Sequence, residues 1–226
     1  MNIRPGEARW NGRDKFILSK GHACPALYSV LARRGYFDPS ELSTFRKLGS
    51  RLQGHPNMLN LPGLDASTGS LGHGLSIACG IAHGMRLNDR NNRVYCLLGD
   101  GELQEGSVWE AAMTGSHYNL QHLTAIVDRN KVQLDGDVSE VMEIEPLVDK
   151  WLAFGWDVIV TEGHSFPSLE KAFDHCRETP YPSVIIANTV KGKGVSFMEG
   201  TCKWHGRCPD EAEYDAALRE IREGLS

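Results

Sequence analysis

With 226 residues, of which 41% are hydrophobic and 23% charged, the chain has the balance of an ordinary globular protein, which excludes disordered, collagen-like and coiled-coil classes. Its 24 basic and 29 acidic residues leave a net charge of −5 and no basic stripe, so no nucleic-acid partner is expected. The length lies near the upper end of what one hydrophobic core supports, and a single domain over 1–226 is expected.

The opening residues, Arg4 to Trp10, read as loop. No apolar signal-peptide core occupies the first twenty positions, and no run approaches the ~18 apolar residues of a membrane span. A cytoplasmic protein without a membrane partner is expected. Apolar residues at helical spacing predict helices over 23–34, 40–48, 73–88, 106–118, 146–154, 166–178 and 210–223. Four nearly continuous apolar runs lie between them, at 94–98, 124–127, 158–160 and 183–187, and read as strands buried on both faces. In the helix from 166, Phe166, Leu169, Ala172, Phe173 and Cys176 share one side, opposite Glu170, Lys171, Asp174 and Arg177. This alternation predicts an α/β fold, a doubly wound, mostly parallel sheet flanked by helices. The tail from 209 to 226, with Tyr214, Ala217, Leu218 and Ile221 on one face, predicts a docked terminal helix. Cysteines at 24, 79, 96, 176, 202 and 208 are scattered, which argues for free thiols and not for a disulfide framework.

Chemistry concentrates where the strands end. Gly99-Asp100-Gly101-Glu102 follows one strand and Asp128-Arg129-Asn130 the next, with Asp100 and Asn130 thirty residues apart. Ligands of open α/β sheets sit beyond the carboxyl ends of parallel strands, so the two side chains are expected to converge there. Magnesium takes six oxygens at about 2.0–2.1 Å, usually one or two carboxylates with phosphates and water. Asp100, the Asn130 amide oxygen and a backbone carbonyl near Val132 would supply three, leaving the rest to a diphosphate and a water. Glycines beside Asp100 admit a close backbone approach. The alternative is an ordinary Asp-Gly turn. The stretch Ser67-Thr68-Gly69-Ser70-Leu71-Gly72-His73-Gly74, ahead of a helix of small residues, reads as a functional turn. Cys202, His205 and Cys208 form a rival group whose spacing could contribute three zinc ligands.

Gly-Asp-Gly followed some thirty residues later by Asn resembles the pattern of thiamine diphosphate enzymes. The run from Leu97 to Gly106, with Trp109-Glu110-Ala111-Ala112, resembles transketolase, and in particular the amino-terminal chain of split, two-gene transketolases. Ser19-Lys20-Gly21-His22, Gly54-His55-Pro56, the 67–72 turn, Lys191-Gly192-Lys193-Gly194 and Trp204-His205-Gly206 extend the likeness from about 14 to 209. The resemblance implies thiamine diphosphate and Mg²⁺ as cofactors, with His22, His55 and His205 as catalytic residues. It implies His22, Gly69, Ser70, Leu71, Gly99, Asp100, Gly101, Glu102, Asn130 and His205 in cofactor binding, and Asp100, Asn130 and Val132 on the metal. Glu105 would meet its counterpart at a dimer interface. His73 stands where the family often has Gln and is expected in the site wall; His83, His117, His122, His164 and His175 are read as surface or packing.

The set makes chemical sense. Ketol transfer requires that the protein neutralise a diphosphate, hold hydroxyls and move protons near neutral pH, a task for imidazoles with a pKa of about 6.5, while the cofactor is the electron sink. The resemblance further implies a partner chain carrying the pyrimidine-binding domain, in an α2β2 assembly acting on sugars or sugar phosphates. The family's first amino-terminal helical segment has no counterpart in this sequence. A specialised carboligase of secondary metabolism or sugar degradation, and a non-catalytic interaction subunit, are the alternatives.

Overall fold

Burial alternates along each strand and so divides the sheet into two apolar faces. Val94, Cys96 and Leu98 join one core with Ile17, Ala125, Val127, Val184 and Ile186, while Leu18, Ile126, Ile185 and Ala187 point to the other side. The computed structural model describes residues 1–224; Leu225 and Ser226, at the end of the tail expected to form the terminal helix, lie outside the described residues.

In chain order the elements are β1 (Lys15–Leu18), α1 (Cys24–Arg33), α2 (His73–Leu87), β2 (Val94–Gly99), α3 (Gly106–His117), β3 (Leu123–Arg129), β4 (Val132–Gln133), β5 (Gly136–Asp137), α4 (Val138–Val141), α5 (Leu147–Ala153), β6 (Asp157–Glu162), α6 (Phe166–Glu178), β7 (Ser183–Asn188) and α7 (Glu211–Glu223). Five strands form one sheet in the order β1-β2-β3-β7-β6, and every pairing in it is parallel. A small antiparallel hairpin, β4-β5, follows the end of β3. Helices α2, α3 and α5 bury Leu75, Ala78, Val108, Ala112 and Trp151 against one face; α1 and α6 cover the other through Cys24, Tyr28, Ala172 and Cys176. Helices on both faces of a parallel sheet make the fold doubly wound, as expected. No helix among the described residues is long and apolar enough to cross a membrane.

Three local expectations need correction. The helix expected over 40–48 is a short 3-10 turn, Pro39–Thr44, because the Ser43 and Thr44 hydroxyls donate to backbone carbonyls within the turn and Arg46 then adopts a left-handed φ of 58°. The run 158–160 is not buried on both faces: β6 is an edge strand, and Val160 stays 51% exposed. Along α7 only Ala217 is buried, with Tyr214 and Ile221 exposed; Glu220 ties the helix down by accepting from the Ser196 N–H and hydroxyl. Strand β1, with a lysine in its four residues, carries too little pattern to be read from sequence. It is held by the parallel register Phe16 to Tyr95 and Leu18 to Leu97. All six cysteines are free, four of them buried.

Candidate functional site

All five strands of the main sheet end at the rim of one cavity of about 980 Å³. Lys20 and His22 follow β1, Gly99 to Glu102 follow β2, Asn130 and Val132 follow β3, His164 follows β6, and Thr189 and Lys191 follow β7. Parallel strands make this convergence inevitable, since all their carboxyl ends lie at the same edge of the sheet.

Asp100 is 2% exposed and makes no ion pair among the described residues. One of its oxygens accepts from Gly101 N–H at 2.9 Å, the other from Lys131 N–H at 2.5 Å, and its own N–H reaches the Asp128 carbonyl. Burial is the main cause that pushes its carboxyl above the ordinary range, and these N–H donors only partly offset it. Asn130 is oriented on the loop after β3: its Oδ1 accepts from Val132 N–H at 3.0 Å and its amide donates to Asp128. A buried carboxylate outside any ion pair among the described residues, beside a carboxamide and an irregular backbone turn, is a donor set that suits a hard cation.

Lys20, Lys191, His22 and His205 also line the cavity. Lys20 pairs with Asp128, which also accepts from the Thr189 hydroxyl; burial opposes ionisation of Asp128, but Lys20 holds its carboxyl below the usual range. Burial and the neighbouring Lys20 lower the Lys191 ammonium, which no carboxylate within ion-pairing distance neutralises among the described residues. His22 and His205 stack with ring centroids 5.1 Å apart. Desolvation first, then His205, Lys20, Lys191 and His55, lower His22 to about 4; desolvation, Lys191 and Lys20 lower His205. Nδ1 of His205 is buried with no hydrogen-bond partner among the described residues. A Lys191 ammonium outside any ion pair among the described residues and an unsatisfied ring nitrogen are groups that an anionic ligand such as a diphosphate answers.

Of the residues expected from sequence, His22, Leu71, Gly99, Asp100, Gly101, Glu102, Glu105, Asn130, Val132 and His205 line this cavity. His55, Gly69 and Ser70 line a second recess of about 550 Å³ together with His73. The two recesses are walled by touching backbones: a Cβ at Gly21 would lie 2.8 Å from Gly69 N, and one at Gly69 3.1 Å from the His55 ring. Glu102 faces the cavity with both oxygens committed to neighbouring donors, and Glu105 lies exposed at the rim as the N-cap of α3. No group of three His, Cys, Asp or Glu could hold a metal among the described residues, so Cys202, His205 and Cys208 do not come together as a zinc site; His205 is turned to His22.

Lys20, Asp128, Thr189 and Lys191 carry no sequence signal for a role of their own, although Lys20 and Lys191 lie inside the motifs Ser19-Lys20-Gly21-His22 and Lys191-Gly192-Lys193-Gly194. His164, read as surface or packing, lies at the cavity rim and accepts from Val190 N–H at 2.8 Å. His83 packs on Tyr118 and His175 pairs with Asp157, as packing and surface residues would.

A buried carboxylate, a carboxamide, an ammonium outside any ion pair among the described residues and two stacked imidazoles, gathered at the carboxyl ends of a parallel sheet, define an α/β domain with a site for a phosphorylated ligand. The family described as transketolase, thiamine diphosphate binding domain, matches residues 1–223. An apulose-4-phosphate transketolase subunit of Phocaeicola vulgatus is 41% identical over 228 residues, covering 100% of this chain and 80% of that protein. The 6-deoxy-6-sulfo-D-fructose transketolase subunit SqwG of a Clostridium species is 42% identical over 222 residues, covering 98% and 81%. Transketolase of Campylobacter jejuni superposes with a TM-score of 0.93 at 31% identity, over 98% of this chain and 36% of that one. The chain belongs to the transketolase family and carries its amino-terminal, thiamine diphosphate-binding part, a component of a thiamine diphosphate-dependent transferase. It spans about four fifths of the subunit relatives and about a third of the longer transketolase.

Proposed function

We propose that the chain is the diphosphate- and Mg²⁺-binding half of a cytoplasmic transketolase-like enzyme that moves a two-carbon ketol unit from a ketose or ketose phosphate to an aldose. A partner chain with a pyrimidine-binding domain completes the site in an α2β2 assembly, with Glu105 at the interface. The observation that carries this reading is Asp100, buried to 2% exposure and in no ion pair among the described residues, lining one cavity with Lys191, His22 and His205.

Asp100, the Asn130 carboxamide and the Val132 carbonyl hold the cation, which neutralises the buried charge that burial alone disfavours. Lys191, His22 and His205 answer the diphosphate, and the Gly99 to Gly101 and Gly69 to Leu71 backbones allow it to lie close. When bound, thiamine diphosphate supplies the electron sink for carbon–carbon cleavage and ligation. His22, His205 and, from the second recess, His55 hold substrate hydroxyls and move protons at their ring nitrogens; a neutral ring donates a hydrogen bond at one nitrogen and accepts at the other, and a bound anion raises its readiness to take a proton.

The first-named relatives are subunits of enzymes named for uncommon sugars, which favours a specialised role in sugar degradation over the common sugar-phosphate exchange. The experiment is to mix the chain with a pyrimidine-domain chain from the same genome, thiamine diphosphate and Mg²⁺, and to follow ketol transfer from a panel of ketoses and ketose phosphates. Transfer only with both chains present supports the reading. Cofactor binding without transfer or carboligation in any donor–acceptor pair, or no binding at all, points to a non-catalytic subunit.

A further inference from the structure

Glu102 is 3% exposed, and among the described residues it has no cationic partner. Its carboxylate instead collects three donors from three separate parts of the chain. Oε1 accepts from Gly72 N–H at 2.9 Å and from the Ser19 hydroxyl; Oε2 accepts from Gly99 N–H at 3.1 Å. Ser19 follows β1 just before Gly21 and His22, Gly72 closes the turn of Gly69 to Leu71, and Gly99 ends β2 beside Asp100.

We propose that Glu102 is the positioning residue of the cofactor site: it does not touch the cofactor but fixes the three backbone segments that do, relative to one another. The proposal rests on the diphosphate reading of the cavity. Its warrant is hydrogen-bond chemistry. Three donors converge from two sides, and only a group with lone pairs on both oxygens answers all of them; an amide would turn an NH₂ toward one of them. Charge-assisted bonds of this kind are about twice as strong as neutral ones. The backbones come close enough for one carboxylate to span them because side chains are excluded from the gap. A Cβ at Gly74 would lie 2.2 Å from the Ser19 hydroxyl oxygen, and one at Gly72, whose φ is +83°, would lie 2.6 Å from the Ser107 hydroxyl oxygen.

Glu102 is one residue from the expected cofactor residue Gly101 and two from the metal residue Asp100, so loss of activity alone would not separate positioning from binding. Amide hydrogen exchange of the full chain without cofactor does. In Glu102→Gln, exchange at Gly72 or Gly99 should rise about tenfold while β2 and β3 amides stay within about twofold, because only the bonds to the carboxylate are lost. The gentler Ser19→Ala keeps the carboxylate and should raise the same exchange about threefold, which decides the matter if Glu102→Gln does not fold. Calorimetry with thiamine diphosphate and Mg²⁺, in the presence of the pyrimidine-domain chain, should then show Glu102→Gln binding at least about tenfold more weakly. Unchanged exchange at both glycines, an equal rise across the whole sheet, or full cofactor affinity in Glu102→Gln would overturn the proposal. Wild-type chain that binds no cofactor would instead remove the diphosphate reading, and the exchange data would still decide whether the carboxylate ties the segments.

Discussion

The imidazoles of His22 and His205 stack with centroids 5.1 Å apart and planes inclined by 27°, although one follows the first strand and the other lies near the carboxyl end of the chain. Burial is the first cause that lowers both imidazoles; Lys20 and Lys191 add to it, and for His22 so does the neighbouring ring. The charged form is therefore disfavoured until an anion arrives.

For His22 the consequence is a pH signature. Its folded pKa, lowered to about 4, lies below the ~6.5 of an unfolded histidine, so protons bind the unfolded chain more readily. Its contribution is neutral above pH ~6.5 and turns destabilising as pH falls from there toward the folded value. Urea unfolding of His22→Asn should show a shallower acid-side loss than wild type. Inorganic diphosphate should raise the His22 titration seen in the imidazole proton NMR spectrum; a titration that diphosphate leaves in place would remove His22 from the anion site.

Asp100 should show the opposite dependence. Burial raises its carboxyl, so the metal-free chain loses stability as pH rises through the range above the ordinary ~3.9, and Mg²⁺ with thiamine diphosphate should restore it. Asp100→Asn should abolish that rescue and weaken Mg²⁺-dependent cofactor binding by more than the ~10–100-fold typical of groups one step behind a ligand. Calorimetry with and without Mg²⁺ reads this directly. Equal affinity in the variant would take Asp100 off the metal.

Gly21 touches backbone. A methyl group there would meet Gly69 N and Thr68 C, both at 2.8 Å, and neither can rotate away. Gly21→Ala should cost ~1–3 kcal/mol in urea denaturation by forcing the wall between the two recesses apart. Cofactor affinity should fall with it. A variant as stable as wild type would mean that the two loops have room to part.

Trp151 tests the core apart from the site. It is 0% exposed, packed against Trp156 at 5.0 Å and Trp109 at 5.4 Å, on the sheet face that carries α2 and α3. Trp151→Ala should destabilise by ~3–5 kcal/mol, measured by denaturant titration. At temperatures where the variant remains folded, cofactor affinity should stay near that of wild type.

Much of the fold was legible in advance. The apolar runs of β2, β3 and β7 and the helical periods of α1, α2, α3, α5 and α6 mark elements in which burial repeats locally, and Gly99-Asp100-Gly101 with Asn130 marked the strand ends that line the cavity. Strand β1 was not legible, since four residues next to loops offer too short a period. The 40–48 segment misled because its serine and threonine hydroxyls compete with the helical ladder.

From the sequence alone come the parallel α/β architecture and the identity of the motifs, because alternation and turn chemistry are written into neighbouring residues. Only the tertiary structure decides what those motifs do together. Parallel pairing of β1 with β2 brings Ser19 to Glu102, Lys20 to Asp128 and His22 to the same rim as Asp100. The same geometry places His55 in a neighbouring recess instead of the main cavity. Glu102 reads in sequence as one more cofactor residue; the three donors that reach it, each from a different segment, make it a clamp. Such roles depend on which groups lie across space from a side chain, and contacts between distant segments are set by sheet order and close packing, which no local pattern encodes.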